Sequence, residues 1–146
     1  MKIKSFRGKI EDNGTDTVTL HTNTGSTGYK IKKFQLFPSD AGTQRQESVV
    51  KIFTVPQSGT PTSTVDFSDQ TLLASAYLAL NDDPYYGSDM VTIFDNMVFN
   101  QDIHITHVDV KGAIACNYYI EMEQVSLALD ENTVATLKDI RNITGQ

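Results

Sequence analysis

The sequence predicts an all-β fold, an antiparallel β-sandwich of jelly-roll type, on the strength of three observations. Turn-forming residues recur at short intervals, from Asp12-Asn13-Gly14 near the start to Lys111-Gly112. Runs rich in β-branched and aromatic residues lie between these turns and have the length of strands. No segment before residue 130 keeps the periodicity of a helix. We therefore expect a single β-sandwich domain over residues 1–146.

The predicted strands follow the turn signals in order. Asn13-Gly14 tolerates the positive φ angles of a type I′ turn, so it predicts a β-hairpin at the start of the chain. The Ser/Thr/Gly/Pro-rich stretch 57–64 is expected to be a loop, since it is too short for an interdomain linker. The nine predicted strands lie near residues 3–11, 16–23, 28–37, 48–56, 63–67, 71–80, 90–95, 98–110 and 115–129.

Periodicity within three of these strands indicates how they are buried. The strand 71–80 is apolar on both faces, which predicts a central strand or one covered by a partner subunit. In 98–110 and in 115–129 the apolar alternation changes phase partway along the strand. A one-residue bulge in each would return the apolar side chains to one face, as in a bent sandwich or jelly roll.

The C-terminal tail, residues 130–146, allows two interpretations. Asp130 or Asn132 is suited to cap a short helix that runs through Val134 and Ile140. An alternating pattern through the same residues fits an extended chain equally well. The tail is therefore expected to be a short helix or a loose end.

Composition is typical of a soluble globular protein, with 39% hydrophobic and 21% charged residues. No window approaches the roughly 18 apolar residues of a membrane span. The N-terminal residues lack the apolar stretch of a secretory signal. The one cysteine, Cys116, cannot form an internal disulfide and is expected to be a small buried side chain. These features predict a protein made in a reducing cytoplasm that does not contact membranes.

Charge is unevenly distributed along the chain. The net charge is −6, yet the basic segment 1–33 holds seven of the 12 basic groups and three acidic ones. These seven are Lys2, Lys4, Arg7, Lys9, Lys30, Lys32 and Lys33. Either they form a face that meets a negatively charged partner, or lysines protect strand edges from unwanted pairing. Direct nucleic-acid binding is not expected, because no binding motif accompanies the charge and the chain is acidic overall.

A metal site is conceivable around His104 and His107, which Asp102 and Asp109 flank. On a regular strand the two histidines face opposite sides, but the predicted bulge in 98–110 would bring all four side chains to the outward face. Two histidines and two carboxylates suit a borderline metal such as zinc. The alternative is a solvent-facing polar row opposite a buried Ile/Val row, and no cofactor is expected.

Two other groups of polar residues are candidate sites. Glu121 and Glu123 share one face of a strand, as the paired carboxylates of some sandwich-fold glycosidases do, but exposed alternation also explains them. The loop 81–89 contains three aspartates near a glycine and is a candidate for calcium, although its order does not match an EF-hand. Within that loop Tyr85 and Tyr86 are candidates for contact with a partner, because tyrosine is enriched at interfaces.

Partner-binding residues are predicted from these features. They are Lys2, Lys4, Arg7, Lys9, Tyr85, Tyr86 and Phe99. The sequence contains no nucleophile elbow, phosphate-binding loop, dinucleotide fingerprint or Cys/His cluster. The expectation is therefore a binding or structural protein and not an enzyme.

Three separated blocks resemble small virion structural proteins of marine tailed phages. They are Gly28–Pro38, Ile93–His107 and the run from Ala115 through Leu129 into Ile143. The resemblance implies a particle component present in many copies, a capsid decoration or cement protein on the major capsid protein. It also implies location in the virion and assembly as a homo-oligomer, for which a trimer is possible. The alternatives are a receptor- or glycan-binding module of a fibre or tail, and a head–tail connector component.

Overall fold

The computed structural model describes residues 2–20, 27–40, 45–80 and 89–126, and every regular element in these ranges is a β-strand. The strands are β1 (Lys2–Ile10), β2 (Thr15–Val18), β3 (Thr27–Pro38), β4 (Gln46–Phe53), β5 (Leu72–Leu80), β6 (Asp89–Phe94), β7 (Ile103–Asp109) and β8 (Cys116–Ser126). They correspond to eight of the nine predicted strands. The ninth, 63–67, is irregular chain, and the tail 130–146 lies outside the described residues.

The strands form two antiparallel sheets that pack face to face, which confirms the predicted sandwich. One sheet has the order β1-β8-β3 and the other the order β2-β7-β4-β5-β6. The first four strands thus alternate between the two sheets along the chain, as in jelly-roll topologies. The last strand of the larger sheet, β6, extends it beyond β5 and does not join β3.

The core lies between the two sheets and is built from alternate side chains of the inner faces. Its best-buried members are at most 3% exposed and come from both sheets. They include Ile31, Phe34, Leu36, Val50, Ile52, Leu73, Ile103, Ile105, Ile120 and Met122. Burying each such side chain contributes about 1.5–3 kcal/mol, so the inner faces dominate the stability of the fold.

The two-sided apolar strand β5 lies between β4 and β6, which confirms its predicted internal position. Residues 54–71 fold back over the outer face of the larger sheet. There the Nζ atom of Lys51 donates to the carbonyl of Thr64 at 2.8 Å, and Lys51 is only 7% exposed. Burial lowers the pKa of Lys51, and the nearby carboxylate of Asp69 opposes that shift.

The Asn13-Gly14 turn forms, but it does not make the predicted hairpin. The N–H of Gly14 donates to the carbonyl of Glu11 at 2.9 Å, and Asn13 has a φ of 60°. Asn13 is the one non-glycine residue of this turn with positive φ, so the turn is not type I′. It carries the chain from β1 in one sheet to β2 in the other. The local signal identified the turn correctly, whereas the partners of the two strands depend on long-range pairing.

The predicted bulges in 98–110 and 115–129 were wrong. Among the described residues, the register of β7 with β4 and that of β8 with β1 run without a shift, and β8 continues through Val125 and Ser126 in regular pairing with β3. The apolar alternation of this segment changes phase for another reason. A histidine, His107, takes an inward position, while Val110 lies after β7 and is 46% exposed. A bulge occurs instead in β3, where the register with β8 shifts between Ile31 and Lys33.

That bulge explains the pattern of β3. Lys32 is the extra residue, so Ile31 and Phe34 both point into the core although they are three positions apart. The side chains of Lys30 and Lys33 consequently share the outer face of the smaller sheet.

A buried histidine ties the corner between β1 and β2 to the larger sheet. His107 is 0% exposed, and its Nδ1 lies 3.0 Å from the carbonyl oxygen of Glu11. Because a carbonyl only accepts, Nδ1 carries a proton that it donates to Glu11, and Nε2 lies 2.9 Å from the hydroxyl oxygen of Ser48. The side-chain amide of Gln46 donates in turn to Ser48 Oγ at 2.9 Å. This network gives every polar group on the histidine ring a partner inside the core.

Candidate binding face

The outward side of the three-stranded sheet carries most of the basic groups of segment 1–33. Register places Arg7 opposite Tyr119 and Lys9 opposite Asn117 across β1 and β8. Across β3 and β8, Phe37 lies opposite Asn117. We define the basic face as Arg7, Lys9, Lys30, Lys32 and Lys33 together with the interleaved Phe37, Asn117 and Tyr119.

A shallow open depression lies in the basic face. It has a volume of about 550 Å³, and its outward-facing lining consists of Arg7, Lys9, Phe37, Asn117 and Tyr119. Phe37 is 68% exposed, an unusual state for a large aromatic side chain on a sheet face. The depression therefore offers a flat apolar surface beside two cations.

Glycine is required beneath this depression. Gly8 faces the inner side of β1, opposite Tyr118 of β8. A Cβ atom on Gly8 would lie 2.8 Å from the hydroxyl oxygen of Tyr118. The missing side chain lets the Tyr118 ring cross under β1, where its hydroxyl donates to the carboxylate of Asp16 on β2. Burial first, and the Asp16 carboxylate second, raise the pKa of Tyr118 far above its usual range.

Acidic side chains on β8 neutralise only one side of the basic face. Glu123 lies 3.5 Å from the Nζ atom of Lys30 and 3.8 Å from that of Lys32. Glu121 accepts from the hydroxyl of Tyr119 at 3.2 Å. Among the described residues, Arg7 and Lys9 form no ion pair, so the positive charge is least compensated along β1.

A cation–π contact holds Lys33 in place on the basic face. The Nζ atom of Lys33 lies 5.9 Å from the centre of the Tyr119 ring, within the range of a cation–π contact. This contact holds the lysine against the sheet beside the aromatic ring. The face thus combines charge with two aromatic side chains, Phe37 and Tyr119.

The four predicted basic residues of β1 do not all reach this face. Arg7 and Lys9 point outward, whereas Lys2 and Lys4 belong to the inner-facing positions near the end of the strand. The Nζ atom of Lys4 lies 5.2 Å from the centre of the buried Tyr29 ring. All seven basic groups of segment 1–33 nevertheless lie on the two edge strands of the smaller sheet. Both explanations of the charge, edge protection and a docking face, are compatible with that placement.

The aromatic candidates for partner contact fare differently. Phe99 is 5% exposed and belongs to the core. Its N–H and carbonyl pair with Tyr29 of β3 at 2.8 and 2.7 Å, so it extends the smaller sheet and its ring is enclosed. Tyr85 and Tyr86 lie outside the described residues, as does most of the loop considered for calcium.

The residues considered for a metal site are separated by the fold. Because β7 has no bulge, His104 points outward while His107 and Asp109 point into the core. The carboxylate of Asp102 accepts a hydrogen bond from the backbone N–H of Leu20 at 2.9 Å. Across residues 2–20, 27–40, 45–80 and 89–126, no group of three or more His, Cys, Asp or Glu side chains is placed to hold a metal ion.

His104 lies instead beside β2. Its Nδ1 is 3.2 Å from the hydroxyl of Thr17. Burial lowers its pKa, and the charge of Asp102 partly opposes that shift. The arrangement fits the alternative of a polar outward row.

Asp109 has a structural role in the loop after β7. Its carboxylate accepts backbone N–H groups at 2.7 to 3.4 Å. The donors are Glu47, Lys111, Gly112 and Ile114. Burial by itself would raise the pKa of this carboxyl, but the four N–H donors outweigh it and lower the pKa.

Cys116 is buried as expected, at 0% exposure. Burial raises its pKa to about 11. A thiol in that state is mostly protonated at neutral pH and is a poor nucleophile.

Sequence reasoning missed Phe37, Asn117 and Tyr119 as surface residues of one site. The alternation of Phe34 and Leu36 with Lys33 and Phe37 contained a usable signal, since it puts an aromatic residue on the lysine-bearing face. The pairing of β3 and β1 with opposite sides of β8 could not be read from the sequence.

Comparison with known proteins leaves the family open. No protein-family model matches the chain, and no curated protein sequence matches it significantly. No helix among the described residues is long and apolar enough to span a membrane.

Proposed function

We propose that the protein is a non-enzymatic virion component, a decoration or cement protein that binds the major capsid protein of a tailed phage. The observation that carries the proposal is the basic face, which concentrates five cations on one sheet of a protein whose net charge is −6. The resemblance to marine phage virion proteins supplies the particle and the partner. On this proposal the protein is made in the host cytoplasm and ends in the capsid.

Electrostatic docking suits such a partner. A positively charged patch on an otherwise acidic molecule favours one orientation as it approaches an acidic surface. Phe37, which is 68% exposed, would then be buried at the centre of the contact. A protein that binds only the assembled shell stabilises that shell by mass action, which is what a cement protein does.

The test is the occupancy of purified shells that lack the protein. The double variant Arg7→Glu with Lys9→Glu should lose binding, and wild-type occupancy should fall as salt is added, because exposed charges are screened. Lys111→Glu is the control for a charge reversal away from the basic face, since it reverses one charge on an exposed residue of the β7–β8 loop. Equal occupancy for both variants, or occupancy that about 1 M salt leaves unchanged, would contradict docking through the basic face.

A second candidate function is supported by the depression itself. Exposed Phe37 beside Asn117 and Arg7 presents an aromatic surface with an amide and a cation, the groups that commonly contact sugars. A receptor- or glycan-binding module of a fibre or tail would bind a glycan array and lose that binding in Phe37→Ala. The cement proposal predicts that neither the wild type nor Phe37→Ala binds glycans. Copy number in purified particles separates both from a head–tail connector, which would form a single ring.

A further inference from the structure

The edge strand β6 carries an unusual concentration of exposed apolar side chains. Met90, Val91, Ile93 and Phe94 are 49%, 46%, 50% and 36% exposed. They account for four of the eight large hydrophobic side chains that the described residues expose. Because successive residues of a strand face opposite sides, both faces of β6 are apolar.

Among the described residues, β6 pairs with β5 on one side, and no strand is hydrogen-bonded to its other side. The N–H of Asp95 donates to the carbonyl of Leu73 at 2.9 Å, which sets the phase of this pairing. Since backbone groups alternate in direction along a strand, the N–H and carbonyl groups of Met90, Thr92 and Phe94 point to the open edge.

The other three edge strands carry features that discourage pairing, and β6 lacks most of them. β1 carries Lys2, Lys4, Arg7 and Lys9, and β3 carries three lysines and a bulge. β2 has only four residues, and the carboxylate of Asp16 accepts the N–H of Thr17 at 2.9 Å. Short length, lysine, proline and bulges are the usual means of protecting an edge.

β6 has no lysine, arginine or proline, and its register with β5 is unbroken. Its one comparable feature is at its first residue, where Asp89 accepts the N–H of Met90 at 2.9 Å. The edge groups of Thr92 and Phe94 have no such cap among the described residues. An open apolar edge of this kind is a template for another strand.

We propose that β6 pairs antiparallel with β6 of a second copy of this chain, centred on Thr92. In that register Met90 of one copy lies opposite Phe94 of the other, and Val91 lies opposite Ile93. Every apolar side chain thus meets an apolar side chain on its own face of the sheet. The arrangement has twofold symmetry, as an isologous contact between identical chains requires.

Backbone geometry favours the same register. Thr92 of each copy can donate to the carbonyl of the other Thr92, and the N–H of each Phe94 can donate to the carbonyl of the opposite Met90. These four hydrogen bonds leave the Asp89 cap on the N–H of Met90 in place. Strand addition of this type obtains its affinity from main-chain hydrogen bonds and its specificity from alternate side chains.

The contact is small, and this sets its expected strength. Four partly exposed side chains bury less than the roughly 800 Å² per partner of a standard interface. A reversible dimer is therefore expected, whose fraction rises with protein concentration. This inference is independent of the proposed function, because β6 belongs to the larger sheet and the basic face to the smaller one.

Light scattering coupled to gel filtration, at increasing concentration, tests the dimer. Wild-type protein should shift from the monomer mass toward twice that mass. Thr92→Lys should remain monomeric with an unchanged circular dichroism spectrum, since it puts two lysines opposite each other at the centre. Val110→Lys is the matched control because Val110 is 46% exposed on another part of the surface, and it should dimerise like the wild type.

Cysteine cross-linking tests the register. Thr92→Cys should form a reducible covalent dimer, since directly paired strand residues are within disulfide range. Val110→Cys should not, and the native Cys116 is buried. Cross-linking through Val91→Cys in preference to Thr92→Cys would overturn the proposed register.

Salt separates this proposal from the capsid-docking proposal. In the proposed register Asp89 of one copy lies opposite Asp95 of the other, so added salt should strengthen the dimer, whereas docking through the basic face should weaken. A wild-type protein that stays monomeric at every concentration would overturn the proposal. Slow hydrogen exchange of the β6 amides in that monomer would show that residues of the same chain cover the edge.

Discussion

The hydroxyl of Tyr118 on β8 donates to the carboxylate of Asp16 on β2 and so joins the two sheets of the sandwich. Tyr118 is 4% exposed, and Gly8 provides the space through which its ring passes. This contact lies directly beneath the depression of the basic face. The stability of the sandwich and the shape of its candidate binding face therefore depend on the same tyrosine.

Removing that hydroxyl should destabilise the fold. Tyr118→Phe should lower the free energy of unfolding by about 1–3 kcal/mol, because it deletes a hydrogen bond to a charged acceptor. Urea denaturation monitored by circular dichroism measures the change. The control is Tyr119→Phe, whose hydroxyl bonds Glu121 on the outward face and which should change stability by less than about 0.5 kcal/mol. Equal losses in the two variants would contradict a special role for the link to Asp16.

The same tyrosine should make the protein sensitive to alkali. The pKa of Tyr118 is raised in the folded state, so the unfolded chain releases this proton first. The stabilisation is complete below the unfolded pKa of about 10 and is lost as pH rises through the folded pKa. Unfolding free energies measured from neutral to alkaline pH should fall less steeply in Tyr118→Phe than in the wild type. Parallel curves would show that the tyrosine does not titrate differently in the two states.

Gly8 should not tolerate even a methyl group. Gly8→Ala would bring Cβ to 2.8 Å from the Tyr118 hydroxyl oxygen and displace the ring. We expect a loss of about 1–3 kcal/mol, typical of overpacking in a core. Ser5→Ala, an exposed change on the same strand, serves as the control. In the double variant with Tyr118→Phe the losses should be less than additive, because both changes break one contact.

Acid should weaken the protein through Asp109. Its pKa is lowered in the folded state, so its contribution is complete above the unfolded pKa of about 3.9 and is lost as pH falls through the folded pKa. Asp109→Asn should lose about 1–3 kcal/mol at neutral pH, because its carboxylate holds four backbone N–H groups. In this variant the free energy of unfolding should also fall less steeply than in the wild type as the pH is lowered. Glu121→Gln alters an outward-facing carboxyl and should leave this dependence on acidic pH unchanged.

Cys116 should be inert in the folded protein. Because its pKa is raised to about 11 and its side chain is buried, an aromatic disulfide reagent should react with it slowly at mildly alkaline pH. In denaturant the same thiol should react at the rate of a free cysteine. Fast reaction without denaturant would show that β8 opens readily at this end.

Prediction from sequence succeeded where local chemistry decides the outcome. Turn residues and β-branched runs located eight strands, and the apolar pattern of 71–80 correctly indicated an internal strand. It failed at the Asn13-Gly14 turn, where the partners of the flanking strands are distant in sequence. It also misplaced the bulge, since Lys32 shows its effect only when β3 is aligned with β8.

The candidate binding face was foreseen only in part. The excess of basic residues in 1–33 is visible in the chain, and Arg7 and Lys9 belong to the face. Phe99 was expected at a surface, but its pairing with Tyr29 encloses it. The metal hypothesis depended on a bulge, and without it His104 and His107 face opposite sides of β7.

The amino-acid order by itself determined that this is a chain of short strands with a basic N-terminal segment, because strand propensity, turn chemistry and charge are properties of neighbouring residues. Only the tertiary structure decided which strands became edges. Pairing β1 and β3 with β8 gathered lysines around Phe37 and Tyr119, while placing β6 beyond β5 left an apolar edge open among the described residues. Which side chains share a surface depends on contacts between residues far apart in the chain, and these form only when the two sheets close over a common core.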